Sequence, residues 1–148
     1  MKNPLMFTEN KEAVREMLIV LMGNDWQKSF LTNPEGEIKE LYKDKEEVRW
    51  FNDVAPCGNF NSKEEAEQTL HDCLILMLDE IAEWLINGKG ATLKLRYEFD
   101  EPVGYCFDRD GNEHVNGKLQ LCLRRDRRHN TDFDFFVSYF HPVYEYIE

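Results

Sequence analysis

The sequence predicts an α+β fold in which helices come first and an antiparallel sheet follows. Three observations carry this. The hydrophobic period changes from helical to two after Gly90, residues 62–87 form one long amphipathic stretch, and the 148-residue length suits about one domain. With 42% hydrophobic and 13% aromatic residues, the chain has enough apolar material for a core without disulfides. The expected organisation is a single domain over 1–148, with a helical part at 1–60 and a long helix plus sheet at 61–148.

Taken in order, residues 10–22 place Val14, Met17, Leu18, Leu21 and Met22 on one helical stripe, and Gly23 follows as a stop. The charged segment 33–49 has few apolar positions, and a short helix is expected around 36–48. Pro56 and Gly58 give the aromatic stretch 50–62 the chemistry of a loop. Over 62–87 Ser62 and Glu65 make a capping box and Gly88 supplies the stop. Leu70, Cys73, Leu74, Met77, Leu78, Ile81, Trp84 and Leu85 share one face of that helix, while Glu65, Asp72, Asp79 and Glu83 share the opposite one. Alternation then predicts strands over 91–99, 102–108, 118–125 and 134–141, a four-stranded antiparallel meander with a turn at 109–112.

Charge and cysteine usage exclude several functions. The 29 acidic and 18 basic residues give a net charge of −11, which repels phosphate backbones and anionic lipid heads. A nucleic-acid or membrane partner is therefore disfavoured, and a basic protein partner is favoured. The excess is concentrated, since residues 61–90 hold 7 acidic against 2 basic side chains. Cys57, Cys73, Cys106 and Cys122 form no C-x-x-C pair, so no structural zinc is expected, and reduced thiols point to the cytoplasm. The N-terminal stretch lacks the basic and apolar regions of a secretory signal, and no run reaches the roughly 18 apolar residues of a membrane span.

Candidate chemistry is sparse. His71, His114, His129 and His141 fall in no metal-binding spacing, and neither metal nor cofactor is expected. His71 reads as a packing residue at a helix edge, and His114 and His129 as residues of polar turns. His141, ending the last strand, is the histidine that a sheet can present to a cleft. Arg124, Arg125, Arg127 and Arg128 cluster within five residues, suited either to clamping phosphates or to pairing with Asp126, Asp132 and Asp134. The row Glu65, Asp72, Asp79 and Glu83 with Leu76 beside it is a candidate surface for a basic partner. There is no Gly-rich phosphate loop and no nucleophile elbow.

Six segments then occur in a telling order: FNSKEEAEQTL, IAEWL, LKL, PVGYCFDRDG, LQLCLRRD and FFVSYFHP. In this, residues from about 60 to 142 resemble the bacterial RNase A-like toxin domain at the C-terminus of contact-dependent growth inhibition proteins. The resemblance implies the α+β ribonuclease fold without its disulfides. It also implies catalytic residues that this chain does not reproduce. Toxins of this type carry histidine in an N-terminal G-H-x-L-x-x-H-V segment, whereas no histidine precedes His71 here. Their terminal T-A-Y-P strand aligns Ser138 with the threonine and Phe140 with the tyrosine, and Pro142 is displaced by one residue.

The expected function is accordingly that of a non-catalytic cytoplasmic protein of a toxin–immunity locus. It would neutralise a basic cognate nuclease toxin through Glu65, Asp72, Leu76, Asp79 and Glu83. The alternatives are an active RNase A-like ribonuclease using His141, Ser138, Arg124 and Arg125, and a protein-interaction module unrelated to toxins.

Overall fold

The structure is a computed structural model and describes residues 10–43 and 58–146. Its elements run α1 (Lys11–Leu21), α2 (Trp26–Leu31), β1 (Gly58–Asn59), α3 (Lys63–Leu76), α4 (Leu78–Asn87), β2 (Thr92–Glu98), β3 (Tyr105–Phe107), β4 (Glu113–His114), β5 (Lys118–Arg125) and β6 (Phe135–Pro142). The α+β class and the helices-then-strands order are as the sequence predicts. The strands, however, form two three-stranded sheets, β1-β3-β4 and β2-β5-β6, in place of one four-stranded meander. The 102–108 strand leaves the meander because β3 pairs antiparallel with β1, far upstream in the chain, on one side and with the adjacent β4 on the other.

Contacts divide the chain into two compact units. One holds the described residues of Met1–Lys39, His71–Leu93 and Leu123–Ser138; the other holds those of Glu40–Leu70, Lys94–Cys122 and Tyr139–Glu148. In the first unit α1 begins at Asn10, whose side-chain oxygen accepts from the N–H groups of Glu12 and Ala13. Val14 and Leu18 are buried from α1, and Trp84 and Phe30 both meet the ring of Phe135, at 6.1 and 5.7 Å. In the second unit Phe60 stacks on Phe140 at 5.2 Å. There Asn59 donates to Tyr105 Oη at 3.0 Å and to the Lys43 carbonyl, and accepts from the Lys43 N–H, so one buried amide pins the strand to residue 43. Gly58 is required beside it, because a Cβ would stand 2.0 Å from the Pro142 carbonyl oxygen.

Two local expectations are corrected, and one element is added. The single helix over 62–87 is two helices, parted at Met77, whose backbone (φ −110°, ψ 19°) leaves the helical path. Buried positions run Ala66, Leu70, Cys73, Leu74, Met77, Leu78, Ile81 and Ala82 at helical spacing through the break, so both helices bury one continuous stripe. Met77 keeps its N–H on Cys73 O and its carbonyl on Ile81 N–H, each at 3.0 Å, so the chain passes through with little loss of pairing.

The helix expected at 36–48 is absent over 36–43, and its remaining residues lie outside the described ones. Asn33 explains this, for its side chain accepts from Glu35 and Glu37 N–H groups and Gly36 takes φ +86°, which closes a turn. Finally, α2 was not foreseen in the sequence; six residues are too few to show a helical period. The 50–62 segment, Cys57 included, lies mostly outside the described residues, apart from β1 at its end.

Strand β6 carries one extra residue. Asp126 N–H bonds Asp134 O, and Val143 N–H bonds Lys118 O, so nine residue steps on one strand face eight on the other. Burial along β6 is not strictly alternating, since Phe135 and Val137 are buried singly and Phe140, His141, Pro142 and Val143 are buried in succession. Strand β2 has no such offset against β5, being tied by Arg125 N–H to Ala91 O and by Phe99 N–H to Gly117 O.

Candidate functional site

Two sets of residues have the geometry of a site. The first lies in the second unit, on β5 and β6. Gln120 is buried between Leu119 and Leu121, and its amide approaches Tyr139 Oη at 3.4 Å. His141 follows two residues along the strand, its ring 5.4 Å from that of Tyr139, and its Nδ1 is 3.0 Å from the Pro142 carbonyl. It is 8% exposed, so the sheet holds His141 as a buried polar residue and presents little of it to solvent. Burial pushes the Tyr139 phenol above its usual ionisation range, the adjacent Cys122 thiol adds to this, and Gln120 and Arg96 pull the other way. The cluster is polar and largely buried, joined by the Gln120–Tyr139 hydrogen bond and the Tyr139–His141 ring contact.

Tyr139 and Gln120 escaped the sequence reading. Strict alternation aligned Phe140 with the family tyrosine, and the extra residue in β6 undermines any such alignment. Gln120 within LQLCL, a polar residue in an apolar strand, was the available signal. Ser138 sits half-buried on β6.

The arginine cluster divides by role. Arg125 donates from Nε to Gly90 O at 3.0 Å and from Nη2 to Gly88 O at 2.8 Å and to Trp84 O, with its guanidinium 4.5 Å from the Trp84 ring centre. It therefore satisfies carbonyls at the end of α4, a place where cations are favoured by unpaired backbone oxygens. Arg128 pairs with Glu35, and Arg124 is exposed on its strand. Of the carboxylates expected beside these arginines, Asp134 acts on the Arg125 charge through space, and Asp126 serves the backbone. Asp126 is buried and accepts from the N–H groups of Arg128, Asn130 and Thr131, while Asp134 bonds His129 Nδ1 at 2.7 Å. Burial works against the Asp126 charge, but Thr131 and those backbone donors hold its carboxyl below the usual range.

The other histidines are held by their neighbours. His71 Nε2 lies 2.8 Å from Met22 O and its ring meets Trp26 edge-on, as a packing residue would. His114 Nε2 contacts Asp108 Oδ2 at 2.7 Å, and that bond, with the N–H groups of Asn112 and Asp110, lowers the Asp108 carboxyl below its usual range. Both turn histidines are thus paired, where the sequence suggested mere solvation. Cys73, Cys106 and Cys122 are buried free thiols, and burial followed by the Asp72 charge pushes Cys73 up to about 12.

The second set is the acidic row. Glu65, Asp72, Leu76, Asp79 and Glu83 are all exposed, and Ser62 Oγ accepts the Glu65 N–H at the start of α3. The row is not a free stripe, however. Asp79 forms an ion pair with Arg15, Oδ1 to Nε 2.7 Å, and Glu83 faces Lys11 Nζ at 3.8 Å, because α1 lies alongside α4. Among the described residues no three His, Cys, Asp or Glu side chains are grouped to hold a metal, and no helix is long and apolar enough to cross a membrane.

Comparison with known proteins places this geometry. The profile of the bacterial CdiA-CT RNase A domain matches residues 45–139. A chain in the crystal structure of a CdiA-CT/CdiI complex from Y. kristensenii superposes with a TM-score of 0.55 at 16% identity, covering 62% of this chain and 80% of that one. At that identity the likeness is one of fold. No curated protein matches the sequence. Since the profile spans well over half of the residues, the chain belongs to the bacterial CdiA-CT RNase A domain family.

Proposed function

We propose that this chain is a non-catalytic member of its family that works in a contact-dependent growth inhibition locus, binding and neutralising a basic cognate nuclease toxin in the cytoplasm. The observation that carries this is the disposition of its histidines. Cleavage of RNA by its own 2′-hydroxyl needs a base, an acid and a cation at the pentavalent phosphate. No histidine precedes His71, and His71, His114 and His129 are engaged with Met22, Asp108 and Asp134. Arg125 is bound to main-chain carbonyls. The net charge of −11 opposes capture of RNA and favours a basic partner. That the structural neighbour comes from a complex of CdiA-CT with CdiI adds support for a protein partner.

The test is to mix the purified chain with the nuclease domain encoded in the same locus and measure binding and RNA cleavage together. Sub-micromolar binding with loss of cleavage is expected; no binding at micromolar concentration overturns the reading. A second reading, an active ribonuclease, is favoured by the contact of Tyr139 with His141 beside Gln120. It requires the chain alone to cleave RNA and the His141→Ala variant to lose that activity.

A further inference from the structure

We infer that the docking surface for a basic partner is a composite of α1 with the α3–α4 helices, centred on an exposed aliphatic patch of Ile19, Val20, Ile75 and Leu76. This rests on the reading of the chain as a binding protein and names the surface that reading lacks. Three contacts fix how α1 runs. Lys11 faces Glu83, Arg15 faces Asp79, and Met22 O faces His71 Nε2. Position numbers rise on one side as they fall on the other, so α1 is antiparallel to α3–α4. The same progression sets Ile19 opposite Ile75, between the Arg15–Asp79 pair and the Met22–His71 bond.

These four side chains are 48%, 76%, 41% and 54% exposed, in that order. Single exposed aliphatics need no explanation, but four at one level of two rigid helices do. Their surroundings supply the partner's chemistry. Glu12 and Glu16 flank the patch along α1, and Asp72, Asp79, Glu80 and Glu83 flank it along α3–α4, all exposed. Between His71 and Asn87 there is no lysine or arginine, and Lys11 and Arg15 of α1 are already paired across the seam. An apolar centre inside a carboxylate rim is the layout of an interface, and the sign of the rim selects a cationic partner with apolar anchors. A second copy of the chain would set carboxylates against carboxylates, so self-association is not the use of this face.

The test uses the full chain and two probes, the nuclease domain of the locus and an amphipathic helical peptide of lysines and leucines. Ile75→Ser with Leu76→Ser removes the anchors from exposed positions and leaves the thermal melt unchanged. The double variant is expected to weaken both probes by about tenfold or more, as loss of central apolar anchors does. Val115→Ser, an exposed aliphatic of the other unit (63%), leaves affinity as it was. Raising salt from about 50 to 300 mM weakens binding several-fold. Amide shifts on peptide addition map to residues 12–20 and 72–83. If the double variant binds the nuclease domain at full strength, the surface is wrong and the binding function stands. If the peptide maps to the patch and the nuclease domain does not bind, the function is wrong and the surface stands. Equal binding of a glutamate–leucine peptide overturns the charge argument and with it the proposal.

Discussion

The strand face of Gln120, Cys122, Tyr139 and His141 and the helix face of α1 with α3–α4 treat polar groups in opposite ways. On the strands Gln120 and His141 are buried and bonded to Tyr139 Oη and the Pro142 carbonyl, so each is expensive to remove and poorly placed to meet a ligand. On the helices the carboxylates are exposed, and the pairs that Asp79 and Glu83 make with Arg15 and Lys11 lie near the surface and are worth little to stability. The difference teaches where each kind of function is found. Burial preserves the architecture of the ribonuclease family, while exposure leaves an acidic surface open to recognition.

That contrast is strained most by Arg125, which belongs to neither face yet holds the end of α4. Arg125→Ala leaves three carbonyls and the Trp84 ring without their cation and is expected to cost about 3 kcal/mol, read as a lower urea midpoint with an unchanged slope. On the strand face, Tyr139→Phe removes the hydroxyl and leaves the Gln120 amide a donor short of an acceptor. A loss of about 1–2 kcal/mol is expected, recovered in part by adding Gln120→Leu, since replacing both partners avoids a buried unpaired group.

Alkaline pH should expose the same asymmetry. The Tyr139 phenol is raised in the folded state, so its contribution to stability is present below the ordinary value of 10.0 and is lost as pH rises through the folded value. Thermal melts between pH 8 and 11 are expected to show that decline together with the one due to the raised Cys73 thiol, and Tyr139→Phe to lessen it in part. The smallest effect belongs to the helix face. Arg15→Ala breaks an exposed pair and is expected to cost about 0.5 kcal/mol; a cost near that of Tyr139→Phe would erase the distinction between the two faces.

Much of the fold was legible in local pattern. The stripe of Val14, Leu18 and Met22, the Ser62 cap and the alternation of 118–125 all appear as elements where periodicity puts them. Three failures share one cause. Met77 parts a helix whose sequence is uniformly helical, Asn33 turns a segment whose composition is charged, and β6 gains a residue that its apolar run conceals. Each depends on contacts or backbone angles that a sum of residue preferences does not contain. For the site, the acidic positions were readable and the loss of two of them to Arg15 and Lys11 was not.

By itself the sequence determined the α+β class, the net charge of −11 and its concentration in residues 61–90, the absence of histidine before His71 and the family resemblance. These are matters of composition, order and period, and they need no partner in space. Only the tertiary structure decided which strands join, that Arg125 serves backbone carbonyls, and that Lys11 and Arg15 of α1 pair with Glu83 and Asp79. Those outcomes turn on which groups meet. A carboxylate or an arginine has the same sequence signature whether it faces water, a helix end or an ion of opposite sign, and its neighbour alone determines its energy and its use.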